Sequence, residues 1–263
     1  MSRNYFTNSR FQKYLPDWIV VGVLILIFFG YTESLHPFYR QFSINDPKIS
    51  YPFARVEQVT DNQLYLYSTI IPTIIITIVV SLNNLNHNDK LHLLQISLLG
   101  LWFSVCSVSV LTDLLRVAIG NPRPDFLQRC GPKEGTPINQ LVDVSICTAP
   151  LGQIYLMDGM KSTPSGHSSM SFAGLLYLTI WLIGQFKIIQ TYNRHNKIIY
   201  IIFVNLPILL ACYIAFSRTQ DYRHHFFDIL FGSCLGILFA TISYFKYFNS
   251  LLKENSNEPI EYN

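Results

Sequence analysis

Apolar residues in this chain gather into long runs separated by short polar stretches. The runs are Trp18–Leu35, Leu64–Leu82, Leu91–Val117, Met170–Phe186, Ile198–Phe216 and Phe226–Phe248. Each is close to the ~20 residues that an α-helix needs to cross a hydrocarbon core. Strand-type alternation is absent, which sets a β-barrel aside. Trp18, Tyr65 and Tyr247 flank the runs where interfacial aromatic anchors belong. The pattern predicts an all-α, polytopic membrane protein of about six transmembrane helices. It is read as one membrane-embedded domain over residues 1–263, with a polar N-terminal segment at 1–17 and a polar tail at 249–263. The end of that tail, "KENSNEPIEYN", is expected to be disordered.

Composition agrees with this reading: 50% of the 263 residues are hydrophobic and only 13% charged. Arg3, Arg10 and Lys13 precede the first run much as in a signal peptide, but the run is too long and no small-residue cleavage site follows it. A retained anchor is expected. The net charge of +3 is too small and too scattered to point to nucleic acid. Cys106, Cys212 and Cys234 lie inside apolar runs, as small buried hydrophobes do. Cys130 and Cys147 lie in the longest polar loop; they could bridge if that loop faces an oxidising compartment, or remain free thiols if it does not.

Counting crossings brings distant segments together. With the N-terminus on side A, side B receives three polar clusters at helix ends: "RVAIGNPRP" (Arg116–Pro124), "STPSGHSS" (Ser162–Ser169) and "SRTQDYRHHFFD" (Ser217–Asp228). Interfacial snorkelling accounts for any one of them. Their shared side favours a common site, because charged groups at membrane depth are costly and collect around function. Arg3, Arg10, Lys13, Lys90, Lys187, Arg194, Lys197, Lys246 and Lys253 fall on side A. Side B carries a similar number, several of them candidate site residues, so A is taken as cytosolic.

The chemistry of the clusters is specific. Ser162 or Thr163 suits an N-cap and Pro164 a first helical position, so Ser165, Gly166 and His167 would offer amides to an anion. His167 is placed to donate a proton. Arg116 and Arg123 are phosphate-clamping guanidinium groups, although Asp113 could pair with Arg116 on the helix face. Arg218 is a third such group. His224 and Asp228, four apart, would share a helix face, with the carboxylate fixing the imidazole tautomer. His225 would point elsewhere, and Asp221 and Arg223 read as a solvated loop pair. This assembly fits phosphoryl transfer through a phosphohistidine on His224, with no cofactor and no metal cage.

The order R-x6-RP, PSGH and SR-x5-H-x3-D resembles the type 2 phosphatidic acid phosphatase superfamily, the lipid phosphate phosphatases. The strings "RPDFLQRC", "TPSGHSS" and "SRTQDYRHH" are most similar to its fungal diacylglycerol pyrophosphate phosphatase branch. The resemblance implies Mg²⁺-independent dephosphorylation of phosphatidate, lysophosphatidate and diacylglycerol pyrophosphate in the bilayer. It also implies an endomembrane location (vacuole, Golgi or ER) with the site on the lumenal or extracytoplasmic face. By motif position, Arg116, Arg123, Ser165, Gly166 and Arg218 bind phosphate, and His167, His224 and Asp228 are catalytic. The family pattern opens with Lys where this chain has Arg116, which keeps the charge but replaces a point ammonium with a planar fork. Three alternatives stand beside this reading: an isoprenoid or sphingoid phosphate as substrate, an HHxxxD-type acyltransferase using His225, and a lipid-binding protein without chemistry.

Overall fold

The computed structural model describes residues 5–190 and 197–261; Arg3 and Arg194 lie outside them. Among the described residues the long elements are helices: α1 (Leu15–Gly30), α2 (Asp61–Leu82), α3 (His87–Ile119), α4 (Gly166–Gln185), α5 (Lys197–Gln220) and α6 (Phe226–Tyr247). They alternate in direction, as the crossing count requires. The apolar runs located these helices, but capping chemistry sets their ends. Thr60 and Gln63 form a capping box at the start of α2, and Asn86 accepts from the Asp89 amide at the start of α3. Gly120, at φ +59°, ends α3 in a left-handed turn that a side chain would disfavour.

Among the described residues, five stretches are long and apolar enough to cross a membrane: Ser9–Gly30, Asp61–Leu82, His87–Ile119, Ile198–Gln220 and Phe226–Tyr247. The exception is α4, which carries the buried polar residues Ser168, Ser169, Ser171 and Thr179. It is the central helix, packed against α2, α3, α5 and α6, so it needs few lipid-facing side chains.

Apolar burial does not drive helix association inside lipid, so close approach and interhelical hydrogen bonds must hold the bundle. The α6 sequence "GSCLG" places Gly232 and Gly236 one turn apart; a Cβ at either would collide with the backbone oxygen of Ser165 or Ser169 on α4. Ser104 Oγ donates to the Ala173 carbonyl at 3.0 Å, and Thr112 Oγ1 to Ser169 Oγ at 2.9 Å. Tyr177 Oη and Trp181 Nε1 reach the carbonyl and hydroxyl of Ser97, both at 2.9 Å.

The chain ends corrected one expectation. Through Glu261 the tail folds back instead of being disordered: the Ile260 amide donates to the Tyr247 carbonyl at 2.9 Å, and Tyr14 Oη to the Ile260 carbonyl at 3.0 Å; Tyr262 and Asn263 lie outside the described residues. Polar residues suit disorder only when they lack partners, and here the N-terminal segment and α6 supply them. At the opposite end, the loop between α1 and α2 and the loop between α3 and α4 together form a second, smaller core around Phe42, Phe126, Leu156 and Met160. The bridge between Cys130 and Cys147 is formed.

Candidate active site

The ends of α1, α3 and α5, the starts of α2 and α4, and the segment just before α6 meet around one cavity of about 510 Å³. Arg116, Arg123, Gly166, His167, Arg218 and His224 all line it. Three motifs separated by up to a hundred residues therefore converge, as the crossing count expected.

Local geometry differs from the sequence reading in three places. Helix α4 begins one residue beyond "TPS": Ser165 is the N-cap, its hydroxyl accepting from the Ser168 amide at 3.4 Å, after a cis Thr163–Pro164 peptide. Ser165 is fully buried behind the cavity, and its amide donates to the Asp228 carbonyl at 2.9 Å. The first-turn amides of Gly166 and His167 keep the anion-binding position, since no carbonyl precedes them in the helix. The Arg116 guanidinium packs over Gly166, where a Cβ would lie 3.3 Å from its Nη1.

The second difference concerns the histidine–aspartate pair. His224 precedes α6, so it shares no helix face with Asp228; its Nδ1 is 4.0 Å from Asp228 Oδ2. Nδ1 instead lies 2.7 Å from the Ser162 carbonyl. A carbonyl only accepts, so Nδ1 carries the proton and Nε2 keeps its lone pair. Asp228 acts one step away. It accepts from Ser162 Oγ at 2.6 Å, from Thr163 Oγ1, and from the His225 amide at 2.9 Å. The carboxylate thereby fixes the segment that presents the Ser162 carbonyl to His224. Burial, then the positive charges of Arg123 and Arg218, hold His224 well below the ordinary histidine range, so it is neutral.

Third, Asp221 and Arg223 are buried, not solvated. Arg223 Nη2 lies 2.8 Å from Glu57 Oε1, its guanidinium 4.5 Å above the Phe53 ring, and Asp221 lies 3.7 Å from Arg218 Nη1. His225 stands apart, as expected: its Nε2 is within 3.2 Å of the Pro122 carbonyl and it is half-buried.

Asp113 pairs with Arg116 and accepts from Thr32 Oγ1 at 3.0 Å, so the helix-face pairing and the cavity role coexist. Arg123 Nη2 reaches Asp158 Oδ1 at 2.7 Å, and Arg129 Nη1 reaches Asp158 Oδ2 at 2.8 Å. Burial alone would raise Asp158, but Arg123, Arg129 and Arg116 outweigh it and hold the carboxyl below its usual range. Burial pushes Arg123 down to about 10, partly offset by Asp158, which leaves it protonated at neutral pH.

Sequence reasoning missed Glu57, Lys161 and Arg223, all lining the cavity. It also missed the ladder from fully buried Arg129 to Asp125, at 2.8 and 2.9 Å, that braces Asp158. The i,i+4 spacing within "RPDFLQRC" was its only trace. His167 Nε2 lies 3.0 Å from the Val59 carbonyl, which likewise assigns its proton to Nε2. Among the described residues, no group of three or more His, Cys, Asp or Glu side chains could hold a metal ion.

The chain is 43% identical over 238 residues to diacylglycerol pyrophosphate phosphatase 1 of Saccharomyces cerevisiae, covering 89% of this chain and 79% of that one. It is 38% identical to the probable diacylglycerol pyrophosphate phosphatase 1 of Schizosaccharomyces pombe, over 94% of this chain and 86% of that one. It is 32% identical to lipid phosphate phosphatase 1 of Arabidopsis thaliana, over 95% and 73%. No solved structure matches. The PAP2 superfamily model spans residues 97–251, from the middle of α3 to just past α6, and this integral membrane protein belongs to that superfamily.

Proposed function

We propose that this protein hydrolyses the terminal phosphate of bilayer lipids, namely phosphatidate, lysophosphatidate and diacylglycerol pyrophosphate, through a phosphohistidine on His224 and without a divalent metal. The observation that carries the reading is the tautomer of His224. With Nδ1–H engaged by the Ser162 carbonyl at 2.7 Å, Nε2 is a neutral nucleophile beside three buried or half-buried arginines. The names of the similar fungal and plant proteins support the substrate class.

In this reading Arg116, Arg123, Arg218 and the Gly166 and His167 amides hold the non-bridging oxygens. His224 Nε2 attacks phosphorus, the bond to the leaving oxygen breaks, and that oxygen takes a proton from His167. The negative charge of the bound phosphate favours the imidazolium form of His167 beforehand. Water then attacks the phosphohistidine as His167 takes its proton, releasing phosphate and regenerating His224. Asp228 positions His224 through Ser162 and contacts no reacting atom. The guanidinium groups supply the charge neutralisation that Mg²⁺ provides in other phosphatases.

The Cys130–Cys147 bridge on the site-bearing loop supports a lumenal or extracytoplasmic site, because disulfides persist in oxidising compartments. An endomembrane home fits the same argument. Protease access to the loop between residues 120 and 163 from each side of sealed vesicles tests the orientation. The reaction is tested by assaying purified protein on phosphatidate in EDTA. Full activity is expected; strict dependence on added Mg²⁺ overturns the mechanism. His224→Ala is expected to abolish turnover while His225→Ala retains it, and the reverse would favour an acyltransferase.

A further inference from the structure

The three motif arginines account for one phosphate, yet a fourth arginine lines the same cavity. Arg223 lies outside the motif residues and is 4% exposed. It shares one anion with Arg218: Glu57 Oε2 lies 2.7 Å from Arg218 Nη2, and Glu57 Oε1 lies 2.8 Å from Arg223 Nη2. Two oxygens of a single anionic group thus bridge a motif arginine and a surplus one, as two phosphoryl oxygens would. The Nε donors of both arginines are buried with no hydrogen-bond partner, so the pair has unused capacity.

Glu57 is a poor fit for a permanent counterion. Each arginine already has a buried carboxylate nearby, Asp221 at 3.7 Å from Arg218 and Asp125 at 3.7 Å from Arg223. Those carboxylates are 5% and 0% exposed, whereas the Glu57 side chain is 27% exposed and faces the cavity. His224 is more deeply buried than Glu57, so the bridged position lies outward of the reacting phosphate.

We infer that the space between Arg218 and Arg223, held here by the Glu57 carboxylate, is the seat of the second, non-reacting phosphoryl group of a pyrophosphate lipid. A monoester headgroup leaves Glu57 in place; a pyrophosphate headgroup displaces it and gains Arg223. Glu57 and Arg223 thereby set the preference between one and two phosphates. The inference rests on the lipid phosphatase reading above.

Wild type, Glu57→Gln and Arg223→Lys are compared on phosphatidate and diacylglycerol pyrophosphate in identical micelles. Arg223→Lys is expected to raise KM for the pyrophosphate lipid about tenfold more than for phosphatidate, because a point ammonium cannot hold two oxygens. Glu57→Gln is expected to lower KM for the pyrophosphate lipid several-fold more than for phosphatidate. Proportional shifts on both lipids, or no shift, overturn the subsite. Should Arg223→Lys not fold, the isosteric Glu57→Gln decides alone. A catalysis-free arm separates the two readings: inorganic pyrophosphate is expected to raise the unfolding temperature of wild type more than inorganic phosphate does, and more strongly still in Glu57→Gln. Wild type that is stabilised in this way but cleaves neither lipid overturns the phosphatase reading and keeps the subsite. Equal stabilisation by the two anions overturns the subsite.

Discussion

The two ends of the helix bundle both bury polar groups, but to opposite effect. At the end that holds the chain termini, Arg10 meets two carboxylates, Asp89 at 2.8 Å and Glu261, and Asp17 accepts from Lys246 at 3.0 Å and Tyr247 at 2.8 Å. His92 is buried there too, with Tyr5 Oη 2.9 Å from its Nδ1. These contacts tie the N-terminal segment and the tail to α3 and α6. At the other end, cations gather around open space. Arg116, Arg123, Arg218, Arg223 and Lys161 line one cavity. Burying charge is costly, and here the cations are balanced by carboxylates, Asp113, Asp158 and Glu57, that line the same cavity. A buried histidine or arginine is therefore not itself a sign of function; what surrounds it is.

The sharpest way to break this contrast is to exchange histidines. His224→Ala is expected to lower kcat about 10⁴-fold or more, as removal of a nucleophile does, whereas His92→Ala changes it less than about threefold. Comparable losses would mean that the two ends do not divide the work. Next come the arginines. Arg123→Ala is expected to lower kcat/KM by about 10²-fold to 10³-fold, the range for losing a charge-stabilising donor, while Arg10→Ala affects unfolding temperature but not turnover.

The Asp228 arrangement sharpens the picture further. Because the carboxylate holds Ser162 and Thr163 instead of the imidazole, Asp228→Asn is expected to lower kcat about 10²-fold with KM little changed, through disorder of the carbonyl facing His224. A loss confined to KM would contradict a positioning role. The pH response follows from His224. Its pKa is lowered in the folded protein, so below the ordinary 6.5 the unfolded chain binds more protons and stability falls as pH falls through that window. Denaturation midpoints measured from pH 7 to 5 are expected to fall less steeply in His224→Gln. The smallest expected effect on turnover is that of Cys130→Ser with Cys147→Ser. The 17-residue spacing predicts a loss of about 3 kcal/mol in the chain-entropy model, read by denaturant unfolding, with kcat within twofold.

Much of this protein is set by local pattern. Apolar runs of membrane-spanning length are visible in one dimension, so the helices, their alternation and the shared side of the motifs follow from the sequence. Arg116, Arg123, His167, Arg218 and His224 could be assigned to one site for the same reason, since each abuts a helix end. Only the tertiary structure decided how those groups are wired. The Ser162 carbonyl reaches His224 across 62 residues, and Glu57 reaches Arg218 across 161. No spacing rule encodes such contacts, because they depend on backbone groups and loop carboxylates brought together only when α2, α4, α5 and α6 pack. The tail illustrates the same point: its polarity was legible, but two of the partners that order it, Arg10 and Tyr14, lie at the far end of the chain.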